Sequence, residues 1–260
     1  MRSLAVTMVL VASSVVAHQA SAEPSSKAKI ADAKKSWCAP EVTELSDHVC
    51  YFDPGVRSEQ GKHTLVIYLH GALAMTPGFF YLQQRAMALH AKKHAFTVLM
   101  PTGPSDGVGY VWPTSQKDQK EKEPAILAGI QKARRALETR VGHAFDETFV
   151  VGFSSGAYYG SSLALRGGLD VDGYMFLAGG SSWVQEPEGG TQRRRPIFVG
   201  VSAADPQTAG HSRALAGSLA HLNKARPWPF KVEERGAGHM VDWTFMSHGM
   251  AWLRAQSKHD

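Results

Sequence analysis

Cysteine is scarce in this chain, long apolar runs are missing, and neither sign of charge dominates. Two cysteines among 260 residues, Cys38 and Cys50, are too few for an iron–sulfur cluster or a disulfide-rich scaffold. A metal site would need more ligands than their neighbourhood offers, so no metal is expected there. They lie close together, and in an oxidising compartment they most simply close one short loop as a disulfide. Two separate buried thiols are the alternative.

The longest apolar stretch, Leu4–Ala17, falls short of the ~20 residues that a membrane-spanning helix requires. Arg2 precedes it and Ala20-Ser21-Ala22 follows it, which is the layout of a secretory signal peptide. Residues 1–22 are therefore expected to be removed, and 23–36 to form a polar lead-in. Residues 37–260 then make one domain, secreted or periplasmic, with no transmembrane segment in the mature chain. A membrane anchor is the competing reading.

The net charge of +5 is modest. The basic run 117–122 is interrupted by Asp118 and Glu121, and the run 193–195 is short; both are expected in loops. Such clusters read as solvated surface rather than a polyanion groove, so no nucleic-acid partner is expected.

What the chain does have is alternation. Near-continuous apolar or β-branched segments occur at 63–69, 95–100, 148–151, 173–177, 196–201 and 229–233, as expected of strands buried on both faces. Between them, apolar residues recur at helical spacing: Phe79, Leu82, Ala86 and Leu89; Ile126, Ile130, Ala133, Leu137 and Val141; Leu215, Leu219 and Leu222; Trp243, Met246, Met250 and Leu253. This pattern predicts a doubly wound α/β domain, a mostly parallel sheet with helices on both faces.

The most informative segment is Thr148-Phe-Val-Val-Gly152-Phe-Ser154-Ser-Gly156-Ala157. A strand enters Gly-x-Ser-x-Gly and leaves as a small-residue helix. This is the form of a turn that lifts a serine hydroxyl above the end of a buried strand. A serine needs a base to take its proton, and the base needs an acid to orient it. In a doubly wound sheet these groups collect at the carboxyl ends of the strands.

Asp205 stands just beyond the strand at 196–201. Asp170 and Asp172 precede a strand, and Glu186 and Glu188 lie in a glycine-rich loop. His239, in Gly236-Ala-Gly-His239 after the last strand, is the base candidate among twelve histidines. A developing oxyanion calls for two backbone donors. The N–H of Ser155 is one candidate, and that of Ala72, with Leu73 second, is the other. His70 is expected to orient the Ala72 loop rather than to act as a base.

These residues, in this order, resemble the α/β-hydrolase superfamily from about Cys50 onward. Within it the chain is similar to secreted serine esterases of the polyhydroxybutyrate depolymerase and feruloyl or acetylxylan esterase group. That group also pairs Leu-His-Gly with Pro-x-Gly after the next strand, here Pro101-Thr-Gly103.

The resemblance implies hydrolysis of carboxylic esters through an acyl-enzyme, with no cofactor. The connection 178–195 is short and glycine-rich, so no multi-helix cap domain is expected. The site should then be open to small, aryl or polymer-end esters. Tyr110, Trp112 and Trp183 either wall the substrate or anchor their loops. The chain is expected to be a monomer or a weak homodimer. A secreted serine peptidase of the same fold and a non-catalytic binding protein are the rival readings.

Overall fold

The computed structural model describes residues 36–74, 77–180, 194–225 and 227–257. The expected signal peptide, the lead-in up to residue 35 and Trp183 lie outside the described residues. The elements follow in the order β1 (Thr43–Ser46), β2 (Val49–Phe52), β3 (Thr64–Leu69), β4 (Leu73–Ala74) and α1 (Pro77–His94). Next come β5 (Thr97–Pro101), β6 (Gly109–Tyr110), α2 (Gln116–Val141), β7 (Glu147–Phe153) and α3 (Ser155–Arg166). The chain continues through β8 (Gly173–Leu177), β9 (Ile197–Ser202), α4 (Ala209–Ala225), β10 (Phe230–Arg235) and α5 (Trp243–Gln256).

Eight strands form one sheet in the order β1-β2-β5-β3-β7-β8-β9-β10. From β5 to β10 every pairing is parallel. The β1–β2 hairpin, which the apolar pattern did not signal, adds to β5 antiparallel. Cys38 is disulfide-bonded to Cys50 and so ties the segment before β1 to β2.

Alternate residues of β3 serve opposite layers, as a period of two requires. Leu65, Ile67 and Leu69 join Ile130 and Leu137 of α2, Leu163 of α3, and Leu215 and Leu219 of α4. Val66 and Tyr68 join Met87 and Ala91 of α1 and Phe245, Met246 and Met250 of α5. Each such side chain, fully buried, contributes roughly 1.5–3 kcal/mol.

Two expectations fail instructively. Of the stripe assigned to α1, Leu82 and Leu89 face solvent, at 60% and 59% exposed. Gln83 and Gln84 are buried in their place, because they bond backbone that no strand or helix satisfies. Gln84 Oε1 accepts the Ala39 N–H at 2.6 Å, and Gln83 Oε1 accepts the Gly71 N–H at 3.0 Å. A buried N–H without a partner costs more than an exposed leucine.

The basic run at 117–122, expected in a loop, is helical. Ser115 caps α2 by accepting the Asp118 N–H, and Asp118 sits favourably in the first turn. The helix then runs through Pro124.

Candidate active site

Strand β7 delivers its chain into α3 through a turn that only small residues permit. A Cβ on Gly152 would stand 2.5 Å from the Gly156 carbonyl oxygen, and one on Gly156 would run into the Leu69 carbonyl. Between these glycines Ser154 has φ 51° and ψ −117°, a positive φ that side chains rarely adopt. The surroundings hold it there. Its N–H donates to Leu177 O at 3.1 Å, its carbonyl accepts the Ala157 N–H at 2.9 Å, and Gly156 N–H donates to His70 O at 3.1 Å.

The strain leaves the Ser154 side chain free of capping duty, since it bonds none of the first N–H groups of α3. The Ser155 N–H, first in that helix, likewise has no partner among the described residues. It stands at the positive end of the helix dipole.

Asp205 follows β9 and His239 follows β10. The paired strands bring them together, and His239 Nδ1–H donates to Asp205 Oδ2 at 2.6 Å. The carboxylate is buried at 4% side-chain exposure, whereas the imidazole is 40% exposed. Asp205 Oδ1 accepts the Gln207 N–H at 3.1 Å, and Oδ2 also accepts the Thr208 hydroxyl. Burial by itself would raise the Asp205 carboxyl. Donation from Thr208 and from His239 outweighs it and holds the group below its ordinary value.

The His239 loop is fixed at both ends. Ala204 N–H donates to Ala237 O at 3.1 Å, and Asp242 caps α5 by accepting from Thr244 and Phe245. The imidazole lies 4.9 Å from the ring of Phe153, the residue before Ser154. Among the described residues no hydrogen bond joins the imidazole to Ser154 Oγ.

The loop after β3 comes against the same turn. A Cβ on Gly71 would lie 3.2 Å from Ser154 Cβ and 3.0 Å from the Phe153 ring, so glycine permits the approach. His70 pins this loop with both ring nitrogens. Nδ1–H donates to Gly71 O at 2.5 Å, and Nε2 accepts the Gly103 N–H at 2.9 Å. Burial pushes its imidazole down to about 4, which the neighbouring carbonyl only partly opposes, so the ring is neutral. With both nitrogens engaged, His70 orients the loop and is not a free base. Ala72 follows Gly71 and is exposed, whereas Leu73 is buried and stands opposite Tyr110 in the short β4–β6 pair.

The expected substrate aromatics part company. Trp112 is buried in the core, stacked on Tyr159 with ring centroids 5.6 Å apart and planes 4° apart. Tyr110 stands edge-on to Trp37 at 4.6 Å. Two residues at the site went unforeseen. Gln83 carried no signal, because an amide inside an apolar helical period reads as surface. Thr208 stands three residues after Asp205 and reads as an ordinary turn residue.

No family model and no curated sequence matches the chain. Solved structures do. A carboxylesterase from Bacillus cereus superposes with a TM-score of 0.56 at 12% identity, covering 80% of this chain and 93% of that one. A carboxylesterase from Mesorhizobium loti gives 0.56 at 19% identity, over 82% and 99%. Acyl-protein thioesterase 2 from Zea mays gives 0.55 at 16% identity, over 80% and 98%. At such identities the likeness is one of architecture, and the chain has the α/β-hydrolase fold: a mostly parallel sheet flanked by helices.

Proposed function

We propose that the chain is a secreted serine hydrolase of carboxylic esters that works through an acyl-enzyme. One observation carries the reading: a buried carboxylate grips an imidazole whose ring packs beside the strained turn bearing Ser154. Asp205 holds the proton on His239 Nδ1, which leaves Nε2 as the base. Ser154 Oγ attacks the ester carbonyl as Nε2 takes its proton, a contact that tightens when substrate fills the site. The protonated imidazole then gives that proton to the departing alcohol. Water, deprotonated in turn by His239, releases the acid and frees the serine.

The N–H groups of Ser155 and Ala72 stabilise the oxyanion, with Leu73 as second choice for the loop donor. The backbone crowding around Gly71 and Gly156 supports this assignment. The substrate class is small, aryl or polymer-end esters. Fold likeness to carboxylesterases and an acyl-protein thioesterase supports ester or thioester chemistry. In this reading 1–22 is the signal peptide, 23–36 the lead-in and 37–260 the catalytic domain. The Cys38–Cys50 disulfide supports an oxidising compartment.

The test is labelling by a fluorophosphonate probe alongside a panel of 4-nitrophenyl esters of rising chain length. Ser154→Ala is expected to lose labelling and to slow turnover on the order of 10⁴-fold or more. Hydrolysis that persists in that variant refutes the assignment.

A further inference from the structure

We infer that Thr208 is a positioning residue for this reaction: its hydroxyl binds the oxygen of Asp205 that receives the His239 Nδ1–H, and so sets how the carboxylate presents itself to the imidazole. The inference rests on the serine-hydrolase reading above.

A carboxylate turns readily about its last torsion, because that torsion has broad and shallow minima. Three donors stop Asp205 from turning. The Gln207 N–H holds Oδ1 at 3.1 Å, while His239 at 2.6 Å and the Thr208 hydroxyl share Oδ2. The first is backbone and the second is the reacting group. Among the described residues Thr208 is therefore the one side chain that fixes Oδ2 without itself taking part in proton transfer. A β-branched residue suits the task, since few rotamers are open to it. Thr208 is also only 6% exposed, so water does not compete for its hydroxyl.

Its mount is rigid. The Thr208 carbonyl accepts the Ser212 N–H at 3.0 Å, which makes the residue part of the entry to α4. One turn on, the fully buried Ser212 hydroxyl bridges Gly179, accepting from its N–H at 3.1 Å and donating to its carbonyl at 3.0 Å. Gly179 lies against the Ser154 carbonyl, where a Cβ would come within 2.9 Å. Through one helix end, the hold on the carboxylate is coupled to the turn that carries the serine.

The hydroxyl also has an electrostatic effect. Tyr158 also feels Asp205: its phenol is pushed up by burial and then by the carboxylate's charge. Removing the Thr208 donor raises the proton affinity of the carboxylate. It then grips a protonated imidazole more tightly, and the acid limb of activity moves to higher pH.

The experiment compares Thr208→Val, which removes the hydroxyl at nearly constant shape, with Thr208→Ser, which keeps it. In the full chain we would measure kcat and KM for 4-nitrophenyl acetate against pH, and the rate of fluorophosphonate labelling. The low-field proton resonance of the Asp205–His239 pair and the thermal midpoint complete the set. Thr208→Val is expected to lose about tenfold in kcat and in labelling rate with KM unchanged. Its acid limb and its low-field proton should both shift, while Thr208→Ser stays within about twofold of wild type.

A valine variant with unaltered kcat, acid limb and proton resonance overturns the proposal. So does a serine variant that loses as much as valine, since packing rather than the hydroxyl would then be at work. If Thr208→Val does not fold, Thr208→Ala carries the same comparison. Wild-type protein that neither labels at Ser154 nor turns over ester refutes the hydrolase reading instead. The proton resonance, which needs no substrate, still reports whether Thr208 acts on the pair.

Discussion

Replacing Ser154 by glycine should make the fold more stable while removing the proposed reaction. The residue sits at φ 51° and ψ −117°, where a Cβ crowds its own backbone. A non-glycine residue held in such a region costs ~1–3 kcal/mol. Glycine removes that cost but gains freedom in the unfolded chain, which returns ~0.5–1 kcal/mol to the unfolded state. The net gain expected for Ser154→Gly lies between about 0 and 2.5 kcal/mol, centred on about 1 kcal/mol.

Ser154→Ala is the control. It keeps the Cβ and therefore the strain, and it loses a hydroxyl that caps nothing, so it should match wild type within ~0.5 kcal/mol. Both variants are expected to lose fluorophosphonate labelling, so activity does not separate them and stability does. Urea unfolding followed by tryptophan fluorescence reads the midpoints, and heating gives a second measure at about 2–4 °C per kcal/mol for a domain of this size. A glycine variant that unfolds at or below the alanine midpoint would show that the turn is not strained, and the argument would fall.

Three further outcomes follow from the structure. Gly156→Ala drives a Cβ into the Leu69 main chain, which cannot swing aside, so a loss of roughly 1–3 kcal/mol or more and slower labelling of Ser154 are expected. A wild-type midpoint and rate in that variant would reject the crowding account. Glu147 is buried and accepts from Thr64 at 2.7 Å, Arg254 at 3.2 Å and Lys62 at 3.3 Å. Glu147→Leu should therefore cost about 3–5 kcal/mol in urea, and a change under ~0.5 kcal/mol would contradict the role given to this buried charge.

Acid should weaken the fold as well. Burial lowers His70 and His90 from 6.5 to about 4, so their contribution is complete above 6.5 and is lost as pH falls through about 4. For fully buried His70 this amounts to about 3 kcal/mol. Urea midpoints across pH 4–7 should fall on acidification, and His90→Gln should make that curve shallower; an identical slope in the variant would remove His90 from the account.

Much of this was legible along the chain because the physics involved is local. The strands read at 63–69, 148–151 and 173–177 announce themselves by near-continuous apolar or β-branched runs, since a strand buried on both faces has little polar side to show. They match β3, β7 and β8 to within a residue or two at their ends. The serine turn is written in two glycines whose missing side chains are a steric requirement. Positions Asp205 and His239 could be singled out from their place after strand ends, and in the structure they are hydrogen-bonded.

What escaped depended on partners far off in sequence. The apolar period of α1 pointed its leucines inward, but the neighbouring segments needed amides there. Gln83 serves Gly71 and also takes the Tyr68 hydroxyl at 2.8 Å; Gln84 serves Ala39. A periodicity counts apolar side chains and is blind to an N–H stranded by another loop. Trp112 was likewise open between a substrate wall and a loop anchor, and its burial depends on Tyr159, which offers it a parallel face from α3.

By itself, then, the sequence determined the alternation of the buried parallel strands with the helices that cover them, the sharp turn at Ser154 and which ionisable residues follow strand ends. Each of these depends on residues within one or two turns of each other. Only the tertiary structure decided that α1 buries Gln83 and Gln84 alongside Met87 and Ala91, that His70 locks one loop to another with both nitrogens, and that Thr208 shares an oxygen with His239. Those outcomes depend on which buried polar groups come to face one another once distant strands pair.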